Sequence, residues 1–219
     1  MAFQLEVWGD YALFTRPEMK VERVSYDVMT PSAARGILDA ILWHPGLRWV
    51  VDRLYVLSPI RFTGIRRNEV SKKISANTVR SAMNTDATDL FLNTTANDCI
   101  AQRSSMLLQD VHYVIEAHFV LTDKAAPSDN EGKFCEMFRR RAARGQSYHQ
   151  PYFGTREFPA NYRLWQGGEI ATAYPDEERD LGYMLYDMDY TDPKDIQPTF
   201  FRAVMKNGIV DFADAEVVR

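Results

Sequence analysis

Apolar and polar positions alternate from the start of the chain. Phe3, Leu5 and Val7 fall on one side, and Gln4, Glu6 and Trp8 on the other. That period of two predicts a half-buried strand. Gly9 and Asp10 are expected to end it. Thr30-Pro31 predicts a helix start, because threonine caps well and proline fits the first helical position. Ile37, Leu38, Ile41 and Leu42 follow at helical spacing, and Pro45-Gly46 ends the run. Trp49 to Leu57, rich in Val, Leu and Tyr, predicts a second strand. From about 64 to 105 the pattern fades into Asn, Thr, Ser and Arg. A patternless stretch of that length is usually functional or mobile.

Order returns at Asp110 to Leu121, where Val111, Tyr113, Ile115, Ala117, Phe119 and Leu121 line one face of a long strand. Pro127-Ser128-Asp129 predicts the cap of another helix, with Phe134, Met137 and Phe138 as its apolar stripe and Gly145 as its stop. A strand over Thr155 to Phe158 would complete a βαββαβ ferredoxin-like unit, the plan shared by RNA-recognition modules. Beyond about Trp165, Tyr183 to Tyr190 and Thr199 to Phe212 read as β, with Asn207-Gly208 as a type I′ hairpin turn. The expected class is therefore α+β. A ferredoxin-like domain spans 1–165 and carries an insertion at about 64–105; a small β-rich region spans 166–219.

Composition narrows this little. With 219 residues, 46% hydrophobic and 26% charged, the chain has ordinary globular content and enough length for a real core. No apolar run reaches the roughly 18 residues of a membrane span, so no membrane partner is expected. Met1 to Glu6 has neither a basic nor an apolar leader segment, so no signal peptide is expected. Cys99 and Cys135 are far apart and lack metal-ligand spacing, which suits reduced thiols in the cytoplasm.

Charge changes the picture more. The net charge is −4, but the signs are segregated. Arg61, Arg66, Arg67, Lys72, Lys73 and Arg80 stand against Glu69 alone. Lys133, Arg139, Arg140, Arg141, Arg144, Arg156 and Arg163 stand against Glu136 and Glu157. Between Tyr174 and Asp195 the sign reverses. Two readings stay open from this alone: a basic groove on one side, or solvated faces that never converge.

No GxGxxG, Walker loop, HExxH or paired CxxC is present, so neither a cofactor nor a metal is expected. His112 and His118 share the polar face of the long strand, and His44 closes a helix, where its charge would meet the dipole. His149 differs. It lies in the loop Gly145 to Gly154, flanked by Tyr148 and Tyr152 and bordered by arginines. Aromatic rings beside basic residues are how proteins stack and hold single-stranded RNA. Lys133, Arg140 and Arg144 fall on one line of the second helix, a ridge suited to phosphates. Stabilisation of the helix end explains the two arginines equally well.

Several segments taken together carry a family resemblance. They are Gly9 to Thr15, Asp110 to Tyr113 running into Glu116 to Phe119, Asn130 to Lys133, and Tyr152 to Glu157. In this order, over nearly the whole chain, they resemble CRISPR-associated protein 5 of subtype I-C, the Dvulg type, in the RAMP superfamily. The resemblance implies a ferredoxin-like RAMP domain followed by a β-rich region. It implies an endoribonuclease that cuts precursor CRISPR RNA at the base of the repeat hairpin and retains the 5′ handle. It implies assembly with the backbone and large subunits of the type I-C interference complex, with double-stranded DNA as a further partner. The implied chemistry is metal-independent: the 2′-hydroxyl attacks its own phosphate, leaving a 2′,3′-cyclic phosphate and a 5′-hydroxyl.

Such a reaction needs a base, a cation for the phosphorane and an acid for the leaving oxygen. The resemblance places a tyrosine near the end of the first helix and a Lys-His pair in the Asn-Glu-Gly-Lys segment. Here the lysine is kept as Lys133, while Leu42 and Phe134 stand at the other two positions. Either the proton work falls to Tyr148 and His149, or the chain holds the RNA handle without cutting. The expected catalytic set is Lys133, His149 and Tyr148. The expected RNA contacts are Arg66, Arg67, Lys72, Lys73, Arg103, Arg140, Arg144, Tyr152 and Arg156. A third reading, a metal-dependent DNA nuclease, would use the acidic run Asp176 to Asp180.

Overall fold

The computed structural model describes residues 2–19, 21–85, 90–91 and 99–219. In chain order its elements are β1 (Phe3–Ala12), β2 (Arg23–Val24), α1 (Pro31–Ile41), β3 (Leu47–Val56), β4 (Phe62–Val70), α2 (Ala76–Thr85), β5 (Ile100–Leu121), α3 (Glu131–Ala143), β6 (Asn161–Leu164), β7 (Glu178–Asp189), β8 (Gln197–Lys206), β9 (Ile209–Asp211) and β10 (Val217–Val218). This is a mixed α/β protein with few helices and a mostly antiparallel sheet. Its contacts divide it into two compact units, one of Met1–Thr63 with Met106–Arg219 and one of Gly64–Ser105.

The first unit is built on four neighbouring strands in the order β3-β5-β1-β6, each antiparallel to the next. Phe3, Leu5 and Val7 are buried, as the alternation requires. Across from them α3 supplies Phe138, whose ring meets Phe3 and Trp49 edge-on or tilted at 5.0 and 4.7 Å. Helix α1 adds Ala34, Ile37, Leu38 and Ile41 to the same core. Its start follows the sequence: the Thr30 hydroxyl accepts the Ala33 N–H at 3.2 Å and Pro31 opens the first turn.

The opposite face of the sheet is polar and paired. His112 Nε2 meets Glu6 Oε1 at 2.8 Å, and His118 Nδ1 meets Asp52 at 2.9 Å. Arg163 grips Glu6 through two nitrogens. That hydrogen bond, with His112 assisting against burial, holds the Glu6 carboxyl below the usual range. The two histidines are thus occupied by carboxylates of neighbouring strands.

Three expectations shift. Strand β1 does not stop at Gly9 and Asp10, because its ladder continues through Tyr11 and Ala12 opposite Gln109 and Leu108. Gly9 serves close packing instead: a Cβ there would lie 2.9 Å from the Phe153 ring. The strand expected over Thr155 to Phe158 is a turn, closed by Phe158 N–H on Thr155 O at 3.1 Å. The last strand of the four forms only past Pro159, which has no N–H for a ladder, as β6 against β1. Third, Asn130 caps α3, its side chain accepting the Lys133 N–H at 2.9 Å, and Asp129 does other work.

Past β6, strands β7, β8, β9 and β10 extend the same sheet, with β9 pairing on β3. Asn207 and Gly208 have φ of 52° and 72°, the left-handed pair a type I′ turn demands. In the second unit, α2 buries none of its residues, and no residue of β4 is fully buried. No helix among the described residues is long and apolar enough to cross a membrane.

Candidate functional site

The start of α3 presents Lys133. Its ammonium donates to Asp129 Oδ1 at 2.6 Å, while 42% of the side chain stays exposed. Asp129 Oδ2 also accepts the Ala126 N–H at 2.9 Å, which closes the turn before the helix. The Asp129 side chain is enclosed, and the Lys133 ammonium with that N–H holds its carboxyl below the ordinary range. Lys133 is therefore a fixed cation with an open side. Leu42 and Phe134 are core residues, 1% and 0% exposed, and neither can meet a substrate.

The end of α3 presents the aromatic loop. Gly145, at φ 63°, stops the helix. Tyr148 N–H then bonds Ala40 O at 2.7 Å, which ties the loop to the last turn of α1. The Tyr148 ring is left 92% exposed. His149 stacks on Tyr152 at 6.0 Å with 28° between ring planes. Its Nδ1 faces Gln150 O at 3.1 Å. A carbonyl only accepts, so Nδ1 is the donor in this contact, and Nε2 has no partner among the described residues. Gly154 (φ 80°) locks the far end, since a Cβ there would sit 2.0 Å from Leu13 O. A cavity of about 450 Å³ lined by Thr30, Ser32, Gly36, Tyr152 and Gly154 opens beside it.

The arginines of this region divide by employment. Arg141 donates to Ile41 O at 3.0 Å, and Arg139 lies 5.6 Å over the Phe3 ring. The side chains of Arg140, Arg144 and Arg156 are exposed and have no acidic partner among the described residues. The other expected contacts, Arg66, Arg67, Lys72, Lys73 and Arg103, belong to the second unit. Arg66, Lys72 and Lys73 are exposed there and Arg103 is half-buried. Arg67 is tied to Glu69 at 3.3 Å.

Three members of the acidic run are in ion pairs. Glu177 holds Arg179 at 2.6 Å, Glu178 holds Lys206 at 3.3 Å, and Asp180 holds Arg202 at 2.6 Å. Among the described residues no cluster of His, Cys, Asp and Glu is arranged to hold a metal ion.

Sequence reasoning passed over Trp43 and gave His44 only a place at the helix end. Trp43, directly after the α1 cap, is 65% exposed. His44 was expected to meet the helix dipole, and two of the last α1 carbonyls, with that of the cap, already have other donors. Ala40 O accepts from Tyr148, Ile41 O from Arg141, and Leu42 O from Trp49 Nε1. His44 instead turns toward Asp129 Oδ2, 3.9 Å from Nδ1, and its ring lies 5.0 Å from Phe134. The one signal in the sequence was a Trp-His pair directly before Pro45-Gly46.

Comparison with known proteins now places the chain. The family described as CRISPR-associated protein (Cas_Cas5), of the Cas5d type, matches residues 3–213. The chain belongs to that family. It is 51% identical over 213 residues to the CRISPR pre-crRNA endoribonuclease Cas5d of Mannheimia succiniciproducens, covering 95% of this chain and 93% of that protein. It is 43% identical over 202 residues to the protein of the same name from Thermus thermophilus, covering 91% and 79%. A crystal structure of a CRISPR-associated protein shares the fold, with TM-score 0.71 at 24% identity over 100% of this chain and 97% of the other.

Proposed function

We propose that this protein is an endoribonuclease that cleaves precursor CRISPR RNA within its repeats, at the base of the hairpin. The carrying observation is the identity of 51% across 95% of the chain to a protein named for that activity. In this reading the RNA supplies its own nucleophile. The 2′-oxygen bonds to phosphorus, the bond from phosphorus to the 5′-oxygen breaks, and a 2′,3′-cyclic phosphate and a 5′-hydroxyl result. Lys133 stands by the phosphorane as a point charge. His149, with its free Nε2, takes the 2′-hydroxyl proton, and Tyr148 and Tyr152 stack bases beside it. Arg140, Arg144 and Arg156 hold phosphates near the loop, and the basic residues of the second unit hold others.

The finer assignments belong to the same proposal. The order β1-α1-β3-β5-α3-β6 with neighbours β3-β5-β1-β6 supports a ferredoxin-like domain over 1–165, with 64–105 as its insertion and 166–219 as a β-rich region. Family membership supports retention of the 5′ handle, assembly with the backbone and large subunits of the type I-C interference complex, contact with double-stranded DNA, and action in the cytoplasm. The second reading, a handle-holding subunit that does not cut, is favoured by one observation: the buried Leu42 and Phe134.

One experiment separates the two. The pure protein is incubated with labelled repeat RNA in excess EDTA, and the product ends are examined. Cleavage to cyclic phosphate is expected, and a single 2′-deoxy substitution before the scissile phosphate should abolish it while sparing binding. A wild type that binds but leaves the RNA intact establishes the handle-holding reading. Cutting of the deoxy substrate overturns the 2′-hydroxyl mechanism.

A further inference from the structure

We infer that His44 is the proton donor to the leaving 5′-oxygen, on a site wall formed by the turn after α1 and anchored to Lys133 through Asp129. The inference rests on the endoribonuclease reading above and completes it, since the cleavage moves two protons and His149 accounts for one.

The geometry begins with the turn. Gly46 approaches the loop after β5 so closely that a Cβ would lie 2.8 Å from Ala125 Cα. Thr122 fastens the contact, its N–H on Gly46 O at 3.0 Å and its hydroxyl on Pro45 O at 2.6 Å. That loop leads directly to Asp129. One enclosed carboxylate therefore faces both side chains, with Oδ1 on Lys133 Nζ at 2.6 Å and Oδ2 at 3.9 Å from His44 Nδ1. His44 does one local job, its Nδ1 accepting the Gly46 N–H within its own turn, and that bond leaves Nε2 uncommitted among the described residues. Its side chain is 34% exposed, so a substrate can reach it. Trp43 beside it offers an exposed indole on which a base can stack.

The tautomers of the two histidines are opposite. His44 Nδ1 accepts the Gly46 N–H at 3.0 Å, and a backbone N–H can only donate. The neutral ring of His44 therefore carries its hydrogen on Nε2, where His149 carries a lone pair. As the acid, His44 is the imidazolium: its second proton sits on Nδ1, which then gives up the Gly46 N–H, with the Asp129 carboxylate as counter-ion 3.9 Å away. The step then balances. The 2′-hydroxyl proton goes to His149 as the 2′-oxygen bonds to phosphorus. The electrons of the breaking bond go to the 5′-oxygen, which takes the Nε2 proton of His44 and leaves a neutral imidazole.

The test compares two substrates in single-turnover cleavage: ordinary repeat RNA, and the same RNA with sulfur in place of the bridging 5′-oxygen. A thiolate leaves without being protonated. His44→Ala should slow cleavage of ordinary RNA by ~10²–10⁴-fold, the range for a positioned acid. It should slow the sulfur substrate little, and RNA affinity should hold. His44→Gln, which keeps an acceptor for Gly46 but cannot transfer a proton, should match the alanine variant. Equal slowing on both substrates would make His44 structural and overturn the inference, as would cleavage at the wild-type rate. If the wild type itself leaves the RNA intact, the endoribonuclease reading fails, and His44 falls with it. If the wild type cuts and His44→Ala cuts equally well, only the role of His44 is refuted.

Discussion

Replacing Arg140 and Arg144 together by alanine tests the RNA-binding ridge with a quantity that the structure bounds. Arg140 lies in the last turn of α3 and Arg144 is its C-cap, so their stems leave about 6 Å apart along the helix axis. Both side chains are exposed and unpaired among the described residues, so their charge is free to replace counterions. Each phosphate neutralised on a single strand contributes about 0.7 to the slope of log affinity against log salt, so losing both should remove about 1.4. Referred to about 1 M salt, that is roughly tenfold weaker binding near 0.15 M and roughly threefold near 0.5 M.

The fold should survive this change. Alanine is the better helix former, and losing cations near the C-terminus costs only about 0.3–1 kcal/mol each. The assay is a titration of labelled repeat RNA over a series of salt concentrations, with a thermal melt as control. Parallel log–log lines for wild type and variant would refute the ridge and leave the arginines as helix stabilisers. The same change at Arg139 and Arg141 should act instead on stability, since these two are spent on Phe3 and on the Ile41 carbonyl.

Lys133→Ala should slow single-turnover cleavage far more than it weakens RNA binding, and Lys133→Arg should keep part of the rate because the positive charge remains. His149→Ala should slow cleavage by ~10²–10⁴-fold with affinity nearly intact, and Tyr148→Phe, which keeps the stacking ring, should cut near the wild-type rate unless the phenol shares the proton work. Burial, with Asp187 adding to it against Arg35, pushes the Asp39 carboxyl up to about 6 from its ordinary 3.8. The folded chain then holds this proton more tightly than the unfolded one, so the contribution is fullest below 3.8 and is lost as pH rises through about 6. Asp39→Asn should flatten that part of a melting-temperature profile against pH, and an unchanged profile would show that Asp39 does not titrate there.

Much of the fold was legible in the chain because local chemistry dictates it. Alternation at Phe3 to Trp8 marks a half-buried strand wherever that strand ends up pairing. Thr30-Pro31 caps a helix through its own side chain and a fixed φ, and Asn207-Gly208 turns a hairpin because both residues tolerate positive φ. The segments around Lys133 and Gly154 carried the family, since they stand in order along nearly the whole chain. The candidate loop at His149 was legible for the same reason, its tyrosines and arginines being neighbours in sequence.

What the tertiary structure decided lies in contacts between residues far apart. Strand β1 runs past Gly9 because β5 continues to pair with it, and β6 begins only where Pro159 releases the ladder. Arg140 and Arg141 are indistinguishable as adjacent arginines in sequence, yet Arg141 is spent on the Ile41 carbonyl and Arg140 has no acidic partner among the described residues. Leu42 and Phe134 looked like lost catalytic groups until both proved to be core. His44 met Asp129 only because Gly46 leaves room for the loop after β5 to close against it. Propensity and pattern act within a few residues, whereas pairing and packing choose partners across the chain, and a side chain's charge, tautomer and access belong to those partners.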